Sequence, residues 1–126
     1  MVDSLGQLGQ NSSSARFKHN IQDIDERSEN IFQLRPVSFV YNADTTETIQ
    51  YGLIAEEVDE VFPTIVVRDD NDEPESVLYH VLPVLLLNEL KKHRIAIEEL
   101  NKNILQRDIL IQNLIERLKI LEAKVI

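Results

Sequence analysis

The chain has 126 residues, of which 43% are hydrophobic, and a formal net charge of -9 at pH 7. This length allows one small domain with a modest core, and the hydrophobic content excludes an intrinsically disordered chain. The acidic charge argues against nucleic acid and anionic membrane surfaces as partners, because both require a basic face. No cysteine is present, which excludes disulfides and thiolate metal sites. The sequence has no run of about eighteen apolar residues and no basic region followed by an apolar core. We therefore expect neither a membrane span nor a secretion signal in these residues.

The first part of the chain, residues 1–14, is rich in Gly, Ser and Gln and has too few apolar residues to fold alone. This composition predicts a linker or the tail of a preceding domain, which we assign to 1–12. Residues 15–24 carry loosely alternating apolar side chains and predict a short strand or extended arm.

A small domain is predicted next. A short helix capped by Asp25 or Ser28 should end before Pro36. Residues 52–63 show a helical period and predict a second short helix that a proline terminates. Strands are predicted where β-branched and aromatic residues cluster, at 37–41, 49–53, 64–68 and 76–79. The outline is a small α+β domain at 13–81, folded as a β-meander with short helices.

The last part, residues 82–126, predicts one long helix. Two positions of a seven-residue repeat form a mainly apolar seam over about five heptads. A helix cannot bury such a stripe against itself, so it must pack against copies of itself or another helix. Polar seam residues are typical of positions that define register and copy number, although this pattern alone leaves dimer and trimer equally open. The seam comprises Leu90, His93, Ile97, Leu100, Ile104, Arg107, Ile111, Leu114, Leu118, Leu121 and Val125.

Several short motifs then point to one family. They are SSARFK at 13–18, LRPVSF at 34–39, GLIAEEV at 52–58, VFP at 61–63 and VLY at 77–79, followed by an apolar helix. In this order and spacing they closely resemble the intramolecular chaperone, auto-processing domain at the C-terminus of phage tail spikes, tail fibres and neck appendages, the S74 peptidase family. The resemblance spans about residues 13–100.

The resemblance implies a function and a site. Such a domain trimerises a long fibrous protein, assists the folding of its triple-stranded β-structure, and then cuts itself off as a single-turnover serine endopeptidase. The family's motif is a serine with a lysine five residues later and an arginine two before that lysine, which here are Ser13, Lys18 and Arg16. Cleavage just before the serine would fall between Ser12 and Ser13.

Two positions depart from the family's pattern. Ser14 stands where an acidic residue is common, which leaves open which serine of 12–14 is the nucleophile. Glu56 stands where glutamine is common, and a solvated helix face shared with Glu57 is its default interpretation. Because Glu56 occupies a motif position, it is nevertheless a candidate to support the pair Ser13 and Lys18, as is Arg16.

The chemistry of a Ser-Lys dyad sets conditions on this segment. A serine hydroxyl is a poor nucleophile until a base takes its proton, and a lysine acts as base when desolvation or a nearby cation favours its neutral form. On a strand, Ser13 and Lys18 would point to opposite faces, and an offset of five is not adjacent on a helix. The pair therefore needs a bend between its members, or a lysine from a neighbouring chain.

Other candidate sites are weaker. The acidic run 69–75 superficially resembles a calcium loop, but it has Pro74 instead of the glycine at the sharp turn, so a hairpin turn is expected. His19, His80 and His93 share no metal-ligand spacing. We therefore expect no metal and no cofactor.

The sequence thus predicts an α+β protein whose small domain precedes a homotrimeric coiled coil. It would act on its own passenger chain in the host cytoplasm during virion assembly and be released from the mature virion protein. One alternative is a structural trimerisation module that does not cut. Another is the related cleavage domain of membrane-bound eukaryotic transcription factors, whose flanking DNA-binding and membrane segments are not visible in these 126 residues.

Overall fold

Short elements precede one long helix in the computed structural model, which describes residues 13–125. A 3₁₀ turn forms at Ala15–Phe17, and residues 18–24 after it adopt no regular element. The strand predicted at 15–24 is therefore absent, and the alternative of an extended arm is wrong at Ala15–Phe17, where Ser14 caps a helical turn. The linker predicted at 1–12 lies outside the described residues.

The predicted helix before the first strand is present, but it is a 3₁₀ helix at Asp25–Gln33. Its N-cap is Ile24, which makes no side-chain capping hydrogen bond, so the cap predicted at Asp25 or Ser28 is wrong. Asp25 has a φ of 53°, in the left-handed region that Asp tolerates better than most residues. Ser28 is fully buried against the long helix.

Four short strands pair as two antiparallel hairpins, β1 Val37–Phe39 with β2 Gln50–Gly52 and β3 Val66–Arg68 with β4 Pro74–Val77. In the first hairpin Ser38 lies opposite Tyr51, and in the second Val67 lies opposite Ser76. The hairpins are separate two-stranded sheets, so the predicted β-meander is wrong. A helix and a 3₁₀ turn occupy the connection between them, and β2 and β3 do not pair.

The connecting helix, α1, spans Ala55–Val61, and a 3₁₀ turn at Pro63–Ile65 follows it. Pro63 can begin this turn because a first-turn residue needs no hydrogen-bonded N–H. Val58 from α1, Ile65 from the turn and Val77 from β4 form the buried core. Leu53, Phe62, Leu78, Leu82 and Leu85 are among the half-buried residues packed around them. This core positions the second hairpin and the start of the long helix, and it is small.

The long helix, α2, spans Leu82–Val125 and is about 66 Å long at 1.5 Å per residue. A 3₁₀ turn at Tyr79–Val81 leads into it. Its first turns pack on the small domain, where Glu89 is buried. Every residue from His93 to Val125 is exposed. Within 13–125, no helix combines the length and the apolarity that crossing a membrane requires.

Candidate functional site

The segment that carries the predicted dyad folds into one tight turn. The Ser14 hydroxyl accepts a hydrogen bond from the Arg16 N–H, at 3.4 Å, and so caps the turn. The Phe17 N–H donates to the Ser14 carbonyl, and the Lys18 N–H donates to the Ala15 carbonyl, both at 3.1 Å. These bonds reverse the direction of the chain within five residues.

The turn brings the two dyad residues together. The Lys18 ammonium nitrogen lies 3.5 Å from the Ser13 hydroxyl oxygen, and both residues belong to the same chain. This is the bend that an offset of five residues requires, and no lysine from a neighbouring chain is needed to form the contact. A distance of 3.5 Å is at the outer limit of a hydrogen bond, and such contacts in a resting site tighten when the reacting groups are aligned.

The surroundings of the contact are polar and open. Ser13, Arg16 and Lys18 are all exposed in the single chain. The Arg16 guanidinium lies 4.6 Å from the centre of the Phe17 ring, a cation–π distance. Phe17 is itself 59% exposed, so this end of the molecule presents an apolar ring beside a cation. Within residues 13–125, the exposed turn does not provide the dry surroundings that would favour a neutral lysine.

Of the two candidate supporting residues, only Arg16 lies beside the dyad in the turn. Glu56 is exposed in the first turn of α1, and none of the hydrogen bonds within 13–125 joins it to Ser13 or Lys18. It lines a cleft of about 290 Å³ with Phe39 and Tyr41. The dyad as folded here has no carboxylate partner from α1.

The neighbouring carboxylate, Glu57, has the better-defined partner. Both its oxygens accept hydrogen bonds from the Arg35 guanidinium, at 3.0 and 2.6 Å. These hydrogen bonds hold the pKa of Glu57 below its usual range and raise that of Arg35. Because Arg35 precedes β1 and Glu57 lies in α1, the pair ties two of the sequence motifs together.

The predicted cleavage site lies between Ser12 and Ser13. Ser13 directly precedes Ser14, the cap of the turn, whereas Ser12 lies outside the described residues. Ser14, which the sequence left open as a possible nucleophile, uses its hydroxyl to cap the turn.

The predicted seam forms one exposed face of α2. Its residues from Leu90 to Val125 are all exposed, and the apolar ones are between 48% and 85% exposed. The seam residue His93 also contacts the small domain, because its ring stacks on Phe32 of the 3₁₀ helix. The ring centres are 5.3 Å apart and the angle between the ring planes is 6°. The seam therefore begins where the small domain ends, and apart from the stack on His93 its side chains are exposed among the described residues, 13–125.

The acidic run at 69–75 forms the expected hairpin turn. The Asp69 carboxylate accepts from the N–H groups of Asn71 and Glu73, at 2.9 and 3.0 Å, and the Asp69 N–H donates to the Glu73 carbonyl. Asp72 has a φ of 63° at the tip of the turn. Within 13–125, no group of three or more His, Asp or Glu side chains is arranged to hold a metal ion.

Sequence reasoning missed the polar contacts that attach the 3₁₀ helix to α2. The Asn88 amide donates to the Ser28 hydroxyl at 2.8 Å and to the Asp25 carbonyl at 3.0 Å. The Lys92 ammonium contacts Glu29 and the buried Glu89, at 3.2 and 3.1 Å. Burial alone would lower the pKa of Lys92, but these two carboxylates raise it. An Asn at the start of an apolar helix is the only sequence signal for this contact.

The segment that carries Ser13 and Lys18 also matches a known protein family. Residues 13–67 match the family model of Peptidase_S74, described as chaperone of endosialidase. The match begins at Ser13, includes Lys18, Arg35 and Glu57, and ends within β3, so α2 lies outside it. None of the curated proteins matches the chain significantly. The predicted resemblance to the S74 chaperone family is therefore confirmed for residues 13–67 of this chain.

Proposed function

We propose that this chain is an intramolecular chaperone that trimerises a phage fibre or spike protein, assists its folding and then releases itself by cutting between Ser12 and Ser13. Ser13 is the nucleophile and Lys18 the base in this proposal. The chaperone role is supported by the family match at residues 13–67. The setting we propose is the host cytoplasm during virion assembly, with the upstream passenger retained in the virion.

The cutting role rests on one observation, the 3.5 Å contact between the Lys18 nitrogen and the Ser13 oxygen. Two exposed residues five apart have no structural need to meet. Here a capped turn brings them into contact within the segment that matches the family. The reacting carbonyl of Ser12 is covalently attached to Ser13, and well-oriented intramolecular reactions reach effective molarities of about 10⁵–10⁸ M. A modest base is therefore sufficient for a reaction that occurs once.

The proposed reaction is an acyl shift followed by hydrolysis. The Ser13 Oγ attacks the Ser12 carbonyl carbon while its proton passes to the Lys18 amine. The C–N bond between Ser12 and Ser13 breaks as the Ser13 nitrogen takes up a proton, which leaves an ester between the Ser12 carbonyl and Ser13 Oγ. Water then hydrolyses the ester and frees the upstream chain as a carboxylate.

Trimerisation supplies two things in this proposal. Three α2 helices joined through the seam hold three passenger chains in register, which lowers the entropic cost of nucleating a non-local β-structure. The neighbouring chains also cover the exposed turn around Lys18, which provides desolvation that residues 13–125 of one chain do not supply. Cutting would then wait for assembly.

The test is a denaturing gel and intact-mass measurement on freshly expressed chain that carries its upstream residues. We expect a product beginning at Ser13 for the wild type and full-length chain for Ser13→Ala and for Lys18→Ala. Ser76→Ala, an exposed serine on β4, is the matched control and should cut normally. A normal cleavage band from either dyad variant removes that residue from the mechanism.

A structural trimerisation module that does not cut is the second candidate, and the exposed seam favours it equally. It predicts trimers and only the intact mass in the wild type. Hydroxylamine separates the candidates further, because it cleaves an ester at Ser13 but leaves an amide intact. A passenger expressed without this chain should aggregate or fail to trimerise, and its normal folding would refute the chaperone role.

A further inference from the structure

The Ser14 hydroxyl has a structural use that the dyad alone does not explain. Ser14 has φ −64° and ψ 142°, the extended conformation of a capping residue, and its side chain accepts from the Arg16 N–H. Only after this cap does the chain turn through Ala15–Phe17 and leave extended at Lys18. The Ser13–Lys18 contact is therefore made across a turn that Ser14 begins.

We infer that Ser14 is a positioning residue for the reaction, which stabilises the turn that holds Lys18 against Ser13. The inference rests on the proposed function, because it assigns a task to a third side chain of the same site. Ser14 does not touch the scissile carbonyl in this role and is not a nucleophile. It acts by raising the fraction of molecules in which Lys18 lies beside Ser13.

The physical argument is that a three-residue 3₁₀ turn has little else to stabilise it. The turn has only two backbone hydrogen bonds of its own, from Phe17 and Lys18, and none of its residues is buried. Short exposed helical segments are marginal in water, because fixing their dihedral angles costs more than one or two hydrogen bonds recover. The capping bond to the Ser14 hydroxyl, at 3.4 Å, is a third hydrogen bond beside these two and so adds to the stability of the turn.

The experiment compares the cleavage rates of three forms of the full chain by gel and intact mass. Ser14→Ala removes the cap and should slow cleavage about fivefold, the change in turn population that one cap is worth. Ser14→Asn keeps a hydrogen-bond acceptor at the cap and adds no charge, so it should cut at the wild-type rate. Because Asn has no hydroxyl, this variant also tests whether Ser14 is the nucleophile. Product from all three should begin at Ser13.

Several results would overturn the inference. Ser14→Ala cutting at the wild-type rate would show that the cap is not needed. Complete loss of cutting in both Ser14→Ala and Ser14→Asn, or a product beginning at Ser14, would make Ser14 the nucleophile instead. Ser13→Ala cutting normally would remove the dyad as the site that Ser14 serves.

A second measurement does not depend on cutting. Nuclear Overhauser contacts between the Ser13 β protons and the Lys18 ε protons report the turn directly in the full chain. They should be present in the wild type and in Ser14→Asn and weaken in Ser14→Ala. Equal contacts in all three forms would refute the positioning role. If the wild type is never cut, the proposed function fails, and this measurement still decides the role of Ser14.

Discussion

A single aspartate organises the loop that joins β1 to β2. One oxygen of Asp44 accepts from the Thr46 N–H at 2.9 Å and from the Thr46 hydroxyl at 2.6 Å, and the other accepts from the Thr48 N–H at 2.9 Å. The Thr46 hydroxyl bond is the largest of the interactions that lower the pKa of Asp44 to about 2 from its ordinary 3.8. The ionised carboxylate thus stabilises a loop that has no core of its own.

This loop should lose that stabilisation in acid. Because the folded pKa of Asp44 is the lower one, its contribution is complete above pH 3.8 and disappears as the pH falls through about 2. Thr46→Ala should raise the pKa of Asp44 towards 3.8, as measured by an NMR titration of the side-chain carboxyl. Thr45→Ala is the matched control and should leave it low. An unchanged value in Thr46→Ala would exclude the hydroxyl as the cause.

A glycine permits a close contact between the first hairpin and the turn before α2. A Cβ on Gly52 would lie 2.8 Å from the Tyr79 hydroxyl oxygen and 3.3 Å from a ring carbon of Phe39. The Tyr79 hydroxyl accepts from the Leu53 N–H at 3.0 Å and donates to the Leu53 carbonyl at 3.3 Å. The position therefore excludes any larger side chain while this hydroxyl is in place.

Gly52→Ala should destabilise the fold by about 1–3 kcal/mol, the usual cost of overpacking, as measured by urea unfolding. The same change in a Tyr79→Phe background should cost less, because the contacting oxygen is gone. If Gly52→Ala costs the same in both backgrounds, the contact with Tyr79 is not responsible.

Polar contacts attach the 3₁₀ helix Asp25–Gln33 to α2. Ser28 is completely buried, and the Asn88 amide donates to its hydroxyl. Stacking of Phe32 on His93 continues the contact one turn further along α2. The bonded residues Ser28 and Asn88 are 60 positions apart in sequence, so this contact defines how the long helix leaves the small domain.

Asn88→Ala should destabilise the small domain by about 1–3 kcal/mol, because it leaves the buried Ser28 hydroxyl without this partner. Asn101→Ala changes an exposed asparagine of the same helix and should be nearly neutral. The stability of both variants should be measured by urea unfolding at equal protein concentration, because association raises the apparent stability. Equal effects from the two variants would show that the Asn88 contact is not stabilising.

At the scale of the whole molecule, the chain buries little of its apolar surface by itself. Only Val58, Ile65 and Val77 are buried apolar residues within 13–125, whereas α2 exposes apolar side chains along its length. A helix with an exposed apolar stripe is stable in water when a partner covers that stripe. The structure thus agrees with the need for association that the heptad pattern predicts, while the copy number remains a proposal.

One charge on the seam should test this association. Ile104→Asp places a carboxylate at a seam position and should shift the protein from trimer towards monomer in light scattering. Ile109→Asp makes the same change on the same helix, about 140° away around its axis, and should remain trimeric. Both side chains are similarly exposed in the single chain, at 54% and 55%. Trimers that survive Ile104→Asp, or a wild type that is monomeric, would contradict the seam.

Patterns that repeat along the chain were sufficient for much of this description. The seven-residue spacing from Leu90 to Val125 predicted α2, and the order of the motifs predicted the family, because both are read along the chain without knowing which residues touch. The offset from Ser13 to Lys18 showed that a bend was required, although not how it would be made.

Contacts between distant residues were decided only by the tertiary structure. The strands and the helix between the second and third of them were predicted, but only the fold shows that β2 and β3 do not pair and that two separate hairpins form. Glu57, not Glu56, pairs with a cation, because the fold places α1 beside Arg35. Ser28 became buried because α2 packs against the 3₁₀ helix, where Asn88, sixty residues later, donates to the Ser28 hydroxyl. Periodicity shows which face of an element is apolar. The partner of each side chain depends on how those faces pack together, and only the tertiary structure determines that packing.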